Sequence, residues 1–288
     1  MTPSKTELDY HVTDDLGYGL GNGTAAAFRL NGIFYFWKET LGFNIHPTIR
    51  ESLQTPNLRI ADVATGTAIW LIDVANELPG ATTLDGLDVT LDMAPPAEWL
   101  PPNITLRQWN IYEDLPEELE GKFDLVHLRL LLPVIQNGDP SSVIQKIVRM
   151  LKPGGWIQWD DLNIREVKIF KARPELKTEA LEYLSRFWNT GERQEWIGRL
   201  PQSFEQEGLE RAEISRYENL KQYLKADCEG YIVTCEETAR TLARKGKVEE
   251  AKELSQIVHQ ASLEAAAGAA VVATRVVCIG QKPAGAAN

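Results

Sequence analysis

His127, Asp160 and Asp161 are the residues of this chain best suited by type and position to move a proton. They lie near the ends of two short runs that read as β-strands, Phe123 to Leu128 and Trp156 to Trp159. An imidazole has an ordinary pKa of about 6.5, which fits His127 for general-base work at neutral pH. The alternative is a histidine that hydrogen-bonds to backbone and holds a loop. Asp160 and Asp161 are adjacent, so on a strand their carboxylates face opposite sides and at most one enters a given pocket. The other caps a turn or pairs with a cation. Adjacent carboxylates do not have metal-ligand spacing, and no metal is expected. His46 precedes Pro47 and reads as structural.

Three further positions could bind rather than react. Asp62-Val-Ala-Thr-Gly-Thr-Ala68 has the form of a strand-to-helix turn. Such a turn brings backbone N–H groups and a helix N-terminus to a ligand, or it is an ordinary βα connection. Asp88 ends a second strand about twenty residues on, where a carboxylate can accept from ribose hydroxyls; a turn or helix-capping Asp is the alternative. Asn110 ends a third strand, where its amide can read the donor and acceptor edge of a purine or simply close a turn. Leu151-Lys-Pro-Gly-Gly-Trp156 reads as a helix stop followed by a strand start.

The elements that must position these residues alternate. Leu58–Ala64, Leu84–Val89, Ile104–Trp109, Phe123–Leu128 and Trp156–Trp159 read as strands. Ile69–Leu78 and Ser141–Leu151 have helical apolar spacing. Strands alternating with helices predict βαβ units and a parallel sheet, with ligands beyond the carboxyl ends of the strands. Ahead of them, Ala25–Leu41 is a helix crowded with Phe28, Phe34, Tyr35, Phe36 and Trp37, too apolar to stand in solvent. Gly17, Gly19, Gly21 and Gly23 precede it. Beyond Asp161 the pattern turns helical over Glu175–Trp188, Glu195–Glu207 and Tyr223–Gln260, with strands at Ala212–Tyr217 and Val271–Gly280. A cap built from the first fifty residues and these later helices is expected. Trp37 and Trp159 are the aromatic candidates for a substrate pocket, against the alternative that they pack the core.

Composition narrows the partners. The 288 residues carry 30 Lys+Arg against 41 Asp+Glu, a net charge of −11. That balance argues against a nucleic-acid surface and against binding to an anionic membrane. With 43% hydrophobic residues the chain can bury a full core. Three scattered cysteines give neither a disulfide framework nor a Cys-rich metal site, which fits a reducing, cytoplasmic setting. The first fifteen residues lack the apolar core of a secretory signal.

Taken together, the motifs resemble the class I S-adenosylmethionine-dependent methyltransferases, and within them a group of fungal secondary-metabolite enzymes. Arg29-Leu-Asn31, Leu41-Gly-Phe-Asn-Ile-His-Pro47, the Asp62 turn with Ile69-Trp70, Phe123 to Arg129 and Leu151 to Asp161 carry the likeness, over most of residues 25–161. The resemblance implies a Rossmann-like α/β fold, a mostly parallel seven-stranded sheet with a helical cap. It implies a lid over 1–56, a cofactor-binding core over 57–161, a cap with later core elements over 162–265, and a final strand and tail over 266–288. S-adenosyl-L-methionine is the implied cofactor. Asp62, Ala64 and Gly66 would shape the pocket for its methionine part, Asp88 would hold the ribose, and Asn110 with Ile111 would frame the adenine. His127 and Arg129 would stand at the methionine end, and Arg29 would belong to the lid; Arg29, Trp37, Arg129 and Trp159 are then candidate substrate contacts, and His127 and Asp160 candidate catalytic groups. The partner would be a small apolar molecule, and a homodimer sharing the apolar helix is left open.

One departure stands out. The family's first turn is Gly-x-Gly-x-Gly, and here the outer positions are Ala64 and Ala68. If position 64 needs positive φ, Ala costs about 1 kcal/mol; Ala68, at a helix start, is expected to be comfortable. Three functions follow: methyl transfer to O, N or S of a secondary metabolite; a non-methylating cyclisation or rearrangement on the same fold; or a non-enzymatic partner protein.

Overall fold

Five runs rich in aliphatic residues form the parallel part of the sheet: β1 (Arg59–Val63), β2 (Thr83–Asp88), β3 (Ile104–Gln108), β4 (Phe123–Arg129) and the first half of β5 (Leu151–Lys171). The chain is seen in a computed structural model that describes residues 20–285, apart from 22, 55 and 188–191. β6 (Glu210–Tyr217) and β7 (Ala269–Gln281) complete a seven-stranded sheet of order β3-β2-β1-β4-β5-β7-β6. β7 runs antiparallel to both of its neighbours. The order reverses between β1 and β4, and at such a reversal a crevice opens beyond the strand ends. The expected α/β architecture is therefore present, with β1 to β5 parallel as their spacing predicts.

Apolar residues cover both faces of the sheet. On one face Val143, Ile144 and Ile147 of α4 (Ser141–Met150) and Phe204 of α6 (Leu200–Gln206) pack with Leu128 and Trp159. On the other, Trp70, Leu71 and Val74 of α3 (Ile69–Glu77) pack with Leu84, Leu125 and Trp156. Gly86 makes that second packing possible. A Cβ there would lie 2.5 Å from Leu106 Cδ2 and 2.9 Å from Leu71 Cδ1, so only glycine lets α3 settle this close to β2.

α1 (Thr24–Leu41) buries Phe34 and Trp37 against this second face. Its outer side keeps Phe28 81% exposed and Tyr35 52% exposed, so one helix cannot bury aromatics placed all round it. Gly17 and Gly19 of the glycine-rich stretch lie outside the described residues. α2 (Pro47–Ser52) follows, its Pro47 at the helix start where a missing N–H costs nothing. α5 (Glu179–Phe187), α7 (Leu224–Arg244) and α8 (Val248–Ala267) form a helical layer with its own core of Leu181, Cys228, Leu254 and Val258. Arg29 of α1 ties the lid to this layer through a bidentate bridge to Glu237 of α7, both bonds 2.9 Å.

Three sequence expectations are corrected. Lys152-Pro-Gly-Gly155 does not cap α4: the helix ends at Met150 and β5 already begins at Leu151. Gly154 and Gly155 instead pair with Lys282 beyond β7, by bonds of 3.0 and 2.8 Å. The stretch read as one helix over Glu195–Glu207 is a 3₁₀ turn (Glu192–Arg199) followed by α6, with Pro201 in the first turn of the second piece. The helical run from Tyr223 to Gln260 is broken at Gly246, which adopts φ 80° between α7 and α8. Among the described residues no helix is long and apolar enough to cross a membrane.

Candidate functional site

The ends of β1, β2, β3 and β4 converge on one cavity. Asp62, Ala64 and Gly66 come from the first turn, Asp88 from β2, Asn110 and Ile111 from the loop after β3, and His127 and Arg129 from β4. α1 closes the cavity with Leu30, Ile33 and Phe34. All seven positions named for the cofactor line this space.

The turn itself is strained in a regular way. Ala64, Gly66 and Ala68 adopt φ of 59°, 56° and 57°, so the backbone keeps three left-handed positions although two carry a methyl group. The left-handed region costs a non-glycine residue about 1–2 kcal/mol. Ala68 is thus not at ease at the helix start, as expected from propensity; it is the N-cap of α3 in left-handed conformation and fully buried. Ala64 is the better relief point because it is only partly buried and lines the cavity. Ala64→Gly is expected to raise stability by about 0.5–1 kcal/mol, strain relief exceeding the entropy that glycine loses on folding. Urea denaturation checks the sign; a loss of stability would show that the Ala64 methyl contributes more packing than strain.

Asp88 reads the turn from the opposite side. Its Oδ2 accepts the Gly66 N–H at 2.7 Å and its Oδ1 the Thr90 N–H at 3.3 Å. An ionised carboxylate has about four acceptor sites, so acceptor capacity remains for a ligand. Burial pushes its pKa up, against the pull of the Gly66, Thr90 and Val89 N–H groups. Asn110 spends its Oδ1 on the Tyr112 N–H at 3.0 Å, so it closes a turn while facing the cavity. Val89, Met93 and Ile111 add apolar wall beside it.

His127, the candidate base, has both ring nitrogens engaged by carboxylates. Its Nδ1 lies 2.7 Å from Asp62 Oδ1 and its Nε2 3.2 Å from Asp160 Oδ2. The ring stacks flat on Trp70, with centroids 3.9 Å apart and planes 1° from parallel. Burial alone would lower its pKa, but the bonds to Asp160 and Asp62 outweigh it and hold the imidazole above its ordinary value. An imidazolium donating from both nitrogens has no lone pair left to take a proton. Asp160, also named for catalysis, lines neither cavity; it is fully buried and accepts from His127 and from Arg129 Nη2 at 2.7 Å. Burial would raise its pKa, yet Arg129 and His127 hold it below the usual carboxylate value. Asp62, Asp160, His127 and Arg129 thus form one hydrogen-bonded set of two carboxylates, an imidazole and a guanidinium at the cavity floor.

Asp161 takes the other side of the strand. Its Oδ2 accepts from Leu131 N–H at 3.0 Å and Trp159 Nε1–H at 3.2 Å, and its Oδ1 from Leu162 N–H at 2.9 Å. Burial pushes its pKa up to about 7. It lines a second cavity, with Arg29, Trp37, Arg275 and Asp227. Of the four predicted substrate contacts, Arg129 therefore faces the first cavity, and Arg29 and Trp37 the second. Trp159 faces neither: it is fully buried in the core, edge-on to Trp196 at 5.4 Å. Arg29 reaches the second cavity with a guanidinium already bridged to Glu237, which fits it to hold the lid in place.

Sequence reasoning missed Thr65, whose hydroxyl bonds Asp62 at 2.6 Å, and Leu130, which adopts φ 58° at the end of β4. No spacing rule flags either. Trp70 carried a signal in its place after the turn, but its stacking role needed the fold.

Residues 60–155 match the family described as methyltransferase domain. That match covers one third of the chain and spans the first turn and the strand ends that line the cavity. Over 113 residues it is 41% identical to the methyltransferase grgD of a Penicillium species, covering 37% of this chain and 39% of that protein. Over 118 residues it is 34% identical to the N-methyltransferase tcpN of Claviceps purpurea, covering 41% of this chain and 42% of that protein. The matched part thus spans about two fifths of these relatives. A chain from the complex of the Haloferax volcanii Trm112 methyltransferase activator with a methyltransferase superposes with a TM-score of 0.54 at 17% identity, covering 94% of this chain and 99% of that one. At that identity the likeness speaks to the fold alone, the Rossmann-like class I methyltransferase fold; β2 to β4, the Asp62 turn and all of β1 but Arg59 fall inside the matched residues.

Proposed function

We propose that this protein transfers a methyl group from S-adenosylmethionine to an O, N or S atom of an apolar small molecule. The observation that carries the reading is the Asp88 carboxylate, which lines the cavity, bonds the Gly66 N–H of a turn with three left-handed positions and keeps acceptor capacity for a ligand. That arrangement fits a ribose diol. Val89, Met93 and Ile111 fit an adenine face, and the Arg129 guanidinium stands at the other end of the cavity, where an amino-acid moiety belongs. The same left-handed positions, kept despite Ala64 and Ala68, favour this reading over a non-methylating catalyst.

Bound there, the sulfonium supplies an electrophilic methyl group to an in-line nucleophile. The chain's own residues would hold and align: the His127 cluster fixes the floor and α1 lines one side of the cavity with Leu30, Ile33 and Phe34. Since His127 has both nitrogens committed, no described side chain of the cluster takes the nucleophile's proton, and an acceptor that is already a free base, such as a neutral amine, suits the site. The relative tcpN is named an N-methyltransferase, which agrees with nitrogen as one of the acceptor atoms. Incubation with methyl-labelled S-adenosylmethionine and a panel of apolar amines, phenols and thiols tests the proposal. Label in an organic extract that disappears with Asp88→Ala is expected. Cofactor binding with no label transferred to any class would point to the non-methylating alternative.

A further inference from the structure

We infer that the second cavity, enclosed by α1, α7, β5 and β7, is the acceptor site, and that it takes an uncharged, largely apolar molecule. This rests on the cofactor reading of the first cavity. Leu30, Ile33 and Leu130 line both cavities, so the two meet along one shared wall with no sheet between them. Leu130 stands at that junction in a left-handed conformation, φ 58°. Strain of this kind persists only where the surroundings impose it. Here the Leu130 N–H is held by the Asp160 carbonyl at 2.9 Å and the next N–H by the Asp161 carboxylate at 3.0 Å. The shared wall is thereby fixed at Leu130 by the same two strand-end aspartates, of which Asp160 holds the floor of one cavity and Asp161 lines the other.

The chemistry of the walls selects the ligand. Trp37, Leu132, Ile164, Val167 and Val272 give most of the surface. The two guanidinium groups that reach it are each ion-paired, although Arg275 Nε keeps no hydrogen-bond partner among the described residues, and Asp161 accepts only from N–H groups. Arg275 donates to Asp227 at 2.5 and 3.3 Å, and Arg29 bridges Glu237. Trp37 lies between two guanidinium groups, with Arg129 at 5.0 Å and Arg275 at 5.4 Å from its ring. A charged ligand would have to shed its water for a cavity whose two guanidinium groups are already ion-paired and whose walls are mostly apolar, a loss that such walls do not return. A neutral apolar molecule meets no such penalty, and the wall shared with the first cavity brings its edge toward the site of the methyl group.

The test uses the full chain with Nile red, a neutral apolar dye, as the probe. Its fluorescence titration is displaced by 2-methoxynaphthalene or by the anion 2-naphthoate. The neutral competitor is expected to act at a concentration lower by at least about tenfold. Ala273→Phe, which fills the cavity from a partly exposed position on β7, is expected to weaken the dye by a similar factor while leaving S-adenosylhomocysteine binding intact. Thr234→Phe repeats the test from α7 if the first variant fails to fold. Asp88→Ala is expected to do the reverse, losing S-adenosylhomocysteine and keeping the dye. Dye binding indifferent to both filling variants, or naphthoate competing as well as its neutral counterpart, would overturn the assignment. Dye behaviour as expected with no S-adenosylhomocysteine binding to the unaltered chain would support the apolar cavity and remove the cofactor reading instead.

Discussion

Replacing His127 with alanine is expected to cost about 3–5 kcal/mol of folding stability. The imidazolium sits between Asp62 and Asp160 with no solvent contact, so its removal leaves two buried carboxylates, one of them still bonded to Arg129 and the other without a cation. It also removes the ring that stacks on Trp70. The pH dependence has a definite sign. A histidine whose folded pKa lies above its ordinary 6.5 contributes fully below that value, and the contribution fades as pH rises through the raised folded value. Asp160 acts in the opposite sense: held below its ordinary 3.8, it contributes above that value and loses its contribution as pH falls through the depressed one. The cluster is therefore most stabilising between these two ordinary values. Urea midpoints across pH 4–9, for the unaltered chain and for His127→Ala, read the histidine effect, and points below pH 3.8 read that of Asp160. A cost below about 1 kcal/mol with an unchanged pH profile would show that the cluster is not the buried ionic set described.

Asp88→Ala is expected to weaken S-adenosylhomocysteine binding by about 10²-fold or more, with little effect on stability. Two hydrogen bonds from ribose hydroxyls to a carboxylate are worth about 1.5–3 kcal/mol each, and nothing else on the cavity rim offers that pair of acceptors at the end of β2. The variant also releases the Gly66 N–H, which now bonds Asp88 at 2.7 Å. Asp88→Asn separates the two effects: it can still accept from Gly66, so the turn survives while one strong acceptor oxygen is lost. An intermediate affinity is expected. Because burial raises the Asp88 pKa, binding to the unaltered chain weakens with falling pH sooner than an exposed carboxylate would allow. Equal affinity for all three proteins would place the ribose elsewhere.

The sheet was legible because its strands are short, aliphatic and separated by helices of clear period; β1 and β4 lie within a residue or two of where their patterns place them. The far half of β5 was not, since Asn163 to Lys171 mixes charges with apolar residues and is a strand only because β7 pairs with it. Lys152-Pro-Gly-Gly155 misled for a similar reason: local turn chemistry says stop, and the partner strand says continue. At the site, the residue types at strand ends pointed to residues that line one shared cavity. What they could not show was convergence. Asp62 and Asp160 are almost a hundred residues apart, yet both reach the same imidazole, and that turns a candidate base into a clamp. The second cavity lay further out of reach, because Trp37, Asp161, Asp227 and Arg275 belong to four separate elements joined only by the fold.

Calorimetric titration of the full chain with S-adenosylmethionine tests the central claim most directly. One site with micromolar affinity in the unaltered chain, lost in Asp88→Ala and retained in Ala273→Phe, is the expected result. No heat of binding at about 1 mM ligand, where even a weak site would register, or affinity indifferent to Asp88, would contradict the claim that the cavity at the β1 and β4 strand ends holds the methyl donor.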